Sequence, residues 1–316
     1  MALDDASQLV LDLIAKAGRP ELWTLDVKAA RAQADPLSDR SEHRPEEVAR
    51  VEDRTIPGPG GELPIRIYWP VVGEGPLPIL VYYHGGGFTL RNLDTHDSVC
   101  RTLGKWGGCL TVAVDYRMGP ETKFPGAVED AFAAVEWVSA NAADLGGDPT
   151  RLAVGGDSAG GNLAAVVCHL SRDHGGPAIV FQLLVYPATD GRRGSGIYPS
   201  YEELSQGYFL THEMMEWFSE QYTDRNTDLG DPRISPLLTQ DHGNLPPAFV
   251  ITAGYDPLKD EGKAYAEALS AAGVLADHKC YETTIHGFLS MGRFIPTALE
   301  ALDDCAARLR AALGRH

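Results

Sequence analysis

With 27 Lys and Arg against 44 Asp and Glu in 316 residues, the chain carries a formal net charge of −17, which repels phosphate backbones and anionic lipid surfaces, so no nucleic acid is expected as a partner. A hydrophobic fraction of 44% and a charged fraction of 22% provide for a buried core and exclude disordered, collagen-like and coiled-coil chains. The length suits one α/β core carrying a smaller cap, and the scattered cysteines at 100, 109, 168, 280 and 305 lack the close pairs of a zinc or redox site, which points to a reducing cytoplasm.

Residues 1–17 place Asp4 and Asp5 where a secretion signal would be basic, and their interrupted apolar pattern predicts an amphipathic helix. No uninterrupted apolar run of about 18 residues occurs, so no membrane span is expected. Residues 1–50 have helical spacing that Pro20, Pro36 and Pro45 are expected to break into pieces, and they are assigned to the N-terminal part of a cap. From residue 51 the pattern changes. Strands are predicted at 51–56, 63–69, 79–83, 110–114, 152–155, 181–186, 248–253 and 277–281, with a hairpin through the turn formers at 57–61. Helices are predicted at 126–143, 159–172, 261–272 and 295–313. This alternation is that of a mostly parallel eight-stranded sheet flanked by helices. The stretch 190–244 is too long for a tight connection and contains its own helix near 211–222, capped by Thr211, so it reads as a cap insertion into a core of residues 51–189 and 245–316. Trp23, Phe209, Met214, Met215, Trp217 and Phe218 are candidates for an apolar lining under such a lid.

Gly156-Asp157-Ser158-Ala159-Gly160-Gly161 follows a predicted strand and opens a predicted helix, the setting of a nucleophile elbow. A sharp strand-to-helix turn presents a serine at a helix N-terminus, where unpaired amides and the helix dipole favour developing negative charge. His84-Gly85-Gly86-Gly87-Phe88 follows the apolar strand at 79–83, and a bare glycine backbone supplies N–H donors at close range to an oxyanion. Two of Gly85, Gly86 and Gly87, together with Ala159, are therefore expected to form an oxyanion hole, while His84 is read as a structural hydrogen-bonding residue. The acid and the base belong on loops after later strands. Asp256, at the end of the seventh predicted strand, is preferred as the acid over its rival Asp260, which is expected to cap the following helix; His286, after the eighth, is the expected base. His96 lies near the glycine loop, positioned either to line the site or to cap a helix.

These motifs, with Asp115-Tyr116-Arg117-Met118-Gly119-Pro120-Glu121 and Gly254-Tyr255-Asp256-Pro257-Leu258-Lys259-Asp260-Glu261, resemble the hormone-sensitive-lipase-like family of bacterial carboxylesterases, family IV, over roughly residues 50–313. The resemblance implies an α/β-hydrolase fold with a helical cap and a triad of Ser158, Asp256 and His286. It also implies hydrolysis of short- to medium-chain esters through an acyl-enzyme, without metal or organic cofactor. Arg91 stands where the family commonly has Gly, and Met118-Gly119 replaces its usual Leu-Ala. Tyr116, Arg117 and Glu121 are expected in a buried polar network behind the site. The expected partner is a small-molecule ester, and a homodimer is compatible with these features. An amidase or peptidase would use the same triad, and a ligand receptor would keep the pocket while dispensing with one of its members.

Overall fold

In the computed structural model, residues 1–70, 75–192 and 196–314 are described. The sheet opens with the hairpin β1 (Arg50–Gly58) and β2 (Gly61–Trp69), in which Gly58 pairs with Gly61 around Pro59 and Gly60. It continues with β3 (Leu77–Tyr83), β4 (Leu110–Val114), β5 (Gly147–Asp157), β6 (Ile179–Val185), β7 (Ala248–Tyr255) and β8 (Ala276–Ile285). Among the described residues these form one eight-stranded sheet in the order β1-β2-β4-β3-β5-β6-β7-β8. The first two strand pairings are antiparallel and all later ones parallel.

All seven residues of β3 are buried, as a central strand covered on both faces requires. Its side chains alternate between two apolar layers. Ile79, Val81 and Tyr83 join the layer built by helices α4 (Gly126–Ala140), α5 (Ala159–His174) and α8 (Lys259–Ala271). Leu80 and Tyr82 join the layer of α3 (Asp97–Gly107) and α9 (Thr297–Ala312) on the other face. The sequence reading missed α3, because its buried face consists largely of Ser98, Cys100, Thr102, Gly104 and Gly107, with Val99 and Leu103 as its only large aliphatic residues.

The order reverses at β3, with β4 on one side and β5 on the other. In such sheets the crevice for ligands opens at the carboxyl ends of the strands flanking the reversal. The remaining elements gather around that end. Helix α2 (Val27–Ser41) and, from residues 190–244, α6 (Pro199–Glu203) and α7 (His212–Tyr222) share two small apolar clusters that include Leu22, Trp23, Leu90, Met214, Met215, Trp217, Phe218 and Leu258. Thr211 Oγ1 accepts from Met214 N at 3.3 Å and so caps α7. Helix α1 (Asp5–Ala17), capped by Asp4, lies instead against the β8 side, where Asp4 N donates to Thr283 O. Pro36 does not end α2, contrary to expectation; the helix runs through it. A helical proline forfeits one backbone hydrogen bond, yet the buried Ala30 and Ala34 pack with Leu90 and Trp217, and this tertiary contact outweighs local propensity.

One buried histidine cluster joins the core to the return of the insertion. His169 Nε2, on α5, lies 3.0 Å from the Tyr265 hydroxyl of α8, and its ring meets that of His242 edge-on with centroids 5.6 Å apart. Burial, with the nearby Arg172 guanidinium adding to it, pushes His169 down to about 3. The folded chain therefore holds this ring neutral, while an unfolded chain protonates it below about pH 6.5. Stability from this group is complete above that pH and declines as the pH falls. Between pH 7.5 and pH 5 the stability advantage of the parent over His169→Phe should shrink by about 2 kcal/mol, measured by urea unfolding at both pH values; an unchanged difference would refute the assignment of a neutral buried ring.

Candidate active site

β5 delivers the chain to Ser158, whose backbone is held at φ 55°, ψ −116°, a region that costs a non-glycine residue roughly 1–3 kcal/mol. Hydrogen bonds hold the strained residue on both sides. Ser158 N donates to Val185 O at 2.8 Å, and Ser158 O accepts from Asn162 N and Ala188 N. Helix α5 then begins directly beneath β3. A Cβ on Gly160 would lie 1.9 Å from Tyr83 O, so only a hydrogen fits there.

The structure brings Ser158, His286 and Asp256 together. Ser158 Oγ lies 3.0 Å from His286 Nε2, and His286 Nδ1 lies 2.7 Å from Asp256 Oδ2. A carboxylate only accepts, so Nδ1 carries the proton and Nε2 presents a lone pair to the serine hydroxyl. Asp256 is fully buried, and its second oxygen accepts from Leu258 N at 2.9 Å. The Tyr186 ring backs the imidazole with centroids 4.8 Å apart. Asp260 lies elsewhere: its Oδ2 accepts from Ser200 N at 2.9 Å and tethers α6. It does not cap α8 as expected, because Leu258 occupies the cap position and Asp260 falls within the first turn.

The three glycines of the loop after β3 differ in what their amides do. Gly85 N donates to Asp157 Oδ1 at 3.0 Å, which removes it from the available donors. Gly85 O accepts from His84 Nδ1 at 2.7 Å, and Gly86 O accepts from Thr89 N and Leu90 N at 3.1 and 2.8 Å. In a trans peptide the N–H points opposite to the carbonyl, so these bonds fix the directions of Gly86 N–H and Gly87 N–H. Neither amide has an acceptor among the described residues, and Ala159, first in α5, has no helical acceptor. Gly86, Gly87, Ala159, Ser158 and His286 all line one cavity.

Behind the loop sits a buried carboxylate that the sequence reading passed over as part of the elbow motif. Asp157 accepts from the Tyr82 hydroxyl at 2.9 Å, and His96 Nε2 lies 3.2 Å from its Oδ1. Burial pushes this carboxyl up, but His96 and the Tyr82 hydroxyl outweigh that effect and leave it below the usual aspartate value. His96 thus lines the cavity and contacts Asp157, and it makes no side-chain cap to α3. His84 is pushed down to about 3, first by burial and then by His96, so its ring is neutral and Nδ1 is the donor. The expected buried network of Tyr116, Arg117 and Glu121 is only partly found. Tyr116 is buried and donates to His84 O at 2.7 Å, whereas Arg117 pairs with Asp130 and Glu121 faces solvent beside Arg31.

The cavity, about 120 Å³, has a mostly apolar cover. Phe209, Met214, Met215 and Phe218 line it as expected, joined by Leu22, Leu90, Leu229 and Leu258. Trp23 and Trp217 do not; they pack between α2 and α7. No group of three or more His, Cys, Asp or Glu side chains suited to a metal ion is present among the described residues, and no helix among them is long and apolar enough to cross a membrane.

Residues 80–290 match the family model for the α/β-hydrolase fold. The carboxylic ester hydrolase LipN of Mycobacterium tuberculosis is 43% identical over 92% of this chain and 77% of its own. The carboxylesterase NlhH of the same organism is 42% identical over 91% of this chain and 90% of its own. Among solved structures, the ester hydrolase EH1AB1 from the Lake Arreo metagenome, complexed with a bipyridine phosphonate derivative, superposes with a TM-score of 0.95 at 46% identity, covering 99% of both chains.

The geometry of the elbow makes one position a sharp test. Gly160→Ala places a methyl group against backbone that cannot retreat without parting β3 from α5, and overpacking of this kind costs about 1–3 kcal/mol or more. Thermal melting should show the variant clearly destabilised. An alanine variant melting with the parent would show that the approach of α5 to β3 is looser than described.

Proposed function

This chain belongs to the α/β-hydrolase family, among its hormone-sensitive-lipase-like carboxylesterases, and is a carboxylic ester hydrolase; from that premise we propose that Ser158 is the nucleophile, His286 the general base and Asp256 the residue that orients it. One observation carries the proposal: the hydrogen-bonded series Ser158–His286–Asp256 opens onto the unpaired amides of Gly86, Gly87 and Ala159. As Ser158 Oγ attacks the ester carbonyl, Nε2 takes its proton, the imidazolium is stabilised by Asp256, and the carbonyl oxygen gains its charge among those three amides. The proton returns from Nε2 to the leaving alkoxide. Water then attacks the acyl-enzyme by the same route and frees Ser158 and the acid.

Of the two regions outside the strand-helix alternation, 1–50 and 190–244, the part of the first from Leu22 through α2 acts in this reading with the second as one cover that shapes the pocket, which their shared apolar clusters support, while α1 packs on the core beside β8. The small cavity with Leu22, Met214, Met215 and Phe218 in its walls favours short- to medium-chain acyl groups over long ones. An acyl-length panel of p-nitrophenyl esters with the matching anilides tests this substrate class. Turnover should peak at short chains and be far lower on anilides, and a preference for anilides would move the chain to amide chemistry.

Ser158→Ala should lower ester turnover by about 10⁴-fold or more with unchanged folding; activity within tenfold of the parent, in a sample free of contaminating esterase, would remove Ser158 from the role. Asp256→Asn should lower kcat by about 10²- to 10⁴-fold, because an amide cannot stabilise the imidazolium. Asp260→Asn should leave kcat nearly unchanged and act on the cover through α6. Steady-state kinetics at equal folded fraction separate the two, and a larger kcat loss at Asp260 would reverse the assignment.

A further inference from the structure

Helix α2 sends one guanidinium onto the backbone that carries the oxyanion amides. Arg31 Nε donates to Thr89 O at 2.8 Å, and Arg31 Nη2 donates to Gly119 O at 2.9 Å. Both acceptors are tied directly to the glycine loop. Thr89 N donates to Gly86 O at 3.1 Å and Thr89 Oγ1 to Gly87 O at 3.1 Å, while Gly119 N donates to Phe88 O at 2.8 Å. The fork is completed by Glu121, 2.7 Å from Nη1. From the opposite direction the loop reaches back: Arg91, at φ 76°, donates through Nη1 to Ala34 O of α2 at 3.0 Å.

These bonds address a specific weakness. Gly86 and Gly87 stand at φ 117° and 59°, and glycine moves among backbone conformations more freely than any other residue. Amides that stabilise a developing charge must already point at it, because reorientation during the reaction would cost part of what they contribute. The Arg31 bonds are charge-assisted and hence stronger than ordinary backbone bonds. The pair with Glu121 is different: its carboxylate side chain is 62% exposed, and an exposed pair of this kind adds little to stability. Arg31 is not the sole contact that docks α2, since Ala30 and Ala34 are buried against Leu90 and Trp217.

We propose that Arg31 is a positioning residue for the oxyanion hole, acting through Thr89 and Gly119 to hold the Gly86 and Gly87 amides in register with Ser158. The N-terminal segment is then part of the machinery that sets kcat, in addition to any part in shaping the pocket. The proposal rests on the reading of Ser158 and the glycine amides given above.

The test compares the full-length parent with Arg31→Met, Arg31→Lys and Glu121→Gln on a short p-nitrophenyl ester, all normalised to active sites titrated with a p-nitrophenyl phosphonate. Arg31→Met should lower kcat about 10- to 100-fold, as expected for misaligned donors, with KM within about threefold of the parent. The second-order rate constant for phosphonylation of Ser158 should fall in parallel, because that reaction builds charge in the same hole. Arg31→Lys, which keeps one charged donor, should recover part of the loss, and Glu121→Gln should stay within about twofold of the parent. The proposal is overturned if folded Arg31→Met keeps kcat and phosphonylation within twofold of the parent. It is equally overturned if the loss appears in KM alone, or if the whole deficit vanishes on normalisation to titrated sites. Should Arg31→Met fail to fold, Arg31→Lys alone decides, an intermediate kcat at unchanged KM supporting the proposal and parental kcat refuting it. Ser158→Ala retaining activity would instead refute the underlying catalytic reading, whatever Arg31 does.

Discussion

The approach of α5 to the end of β3 constrains everything else at this site. β3 and β5 are parallel neighbours with Tyr83 opposite Gly156, so the loops leaving their carboxyl ends emerge side by side. One loop carries the glycine amides and the other the serine. For both to face the same point, α5 must start immediately under the Tyr83 carbonyl, at a separation that no side chain survives. The left-handed backbone at Ser158 follows from that requirement, since the chain has to reverse from strand to helix within one residue. Its strain is held by Val185 O on one side and the Ala188 and Asn162 amides on the other, which brings β6 into the same arrangement.

Asp157 shows how a costly group is used to join the two loops. A buried carboxylate loses its hydration, and burial alone would drive it to the neutral form. Here the Tyr82 hydroxyl, the Gly85 amide and His96 all face it, so the charged form is retained. The residue before Ser158 is thereby bonded to the first glycine of the opposing loop. Second shells of this kind determine how accurately catalytic groups are held.

Much of the fold was legible because its strands are short apolar runs and its longer helices keep an apolar face. The hairpin at 57–61, the eight strands and the helices over 126–140 and 159–174 follow from period and turn chemistry. The motif residues were legible for a different reason: each stands at the carboxyl end of a recognisable strand, where open α/β sheets gather their ligands. What escaped reading depended on long-range packing. α3 hides its face behind small and polar residues, Pro36 sits in a helix whose Ala30 and Ala34 pack against Trp217 and Leu90, and the orientation of the three glycine amides depends on Asp157, His84 and Thr89. The roles of Asp157 and Arg31 were equally out of reach, since each is defined by partners distant in the chain. In Arg31 that distance is 58 residues to Thr89 and 90 to Glu121.

The cover and the chemistry are usually treated as separable, the cover setting which substrate enters and the strand ends setting how fast it reacts. The contacts around the glycine loop argue against that division in this chain. On the side of the insertion, the Phe218 ring of α7 lies where a Cβ on Gly87 would be 2.2 Å away, and Tyr222 stacks on Phe88 with centroids 3.9 Å apart. On the side of the N-terminal segment, Arg31 and Arg91 join α2 to the same loop. The loop is thus held between α2 and α7, and the absence of a side chain at Gly87 lets α7 come close enough to form a wall of the cavity. If α2 and α7 form the proposed cover, a shift that admits a larger acyl group also moves the supports of the Gly86 and Gly87 amides. On the proposed reading of cover and amides, selectivity and rate are coupled through backbone geometry, because both are built from the same contacts.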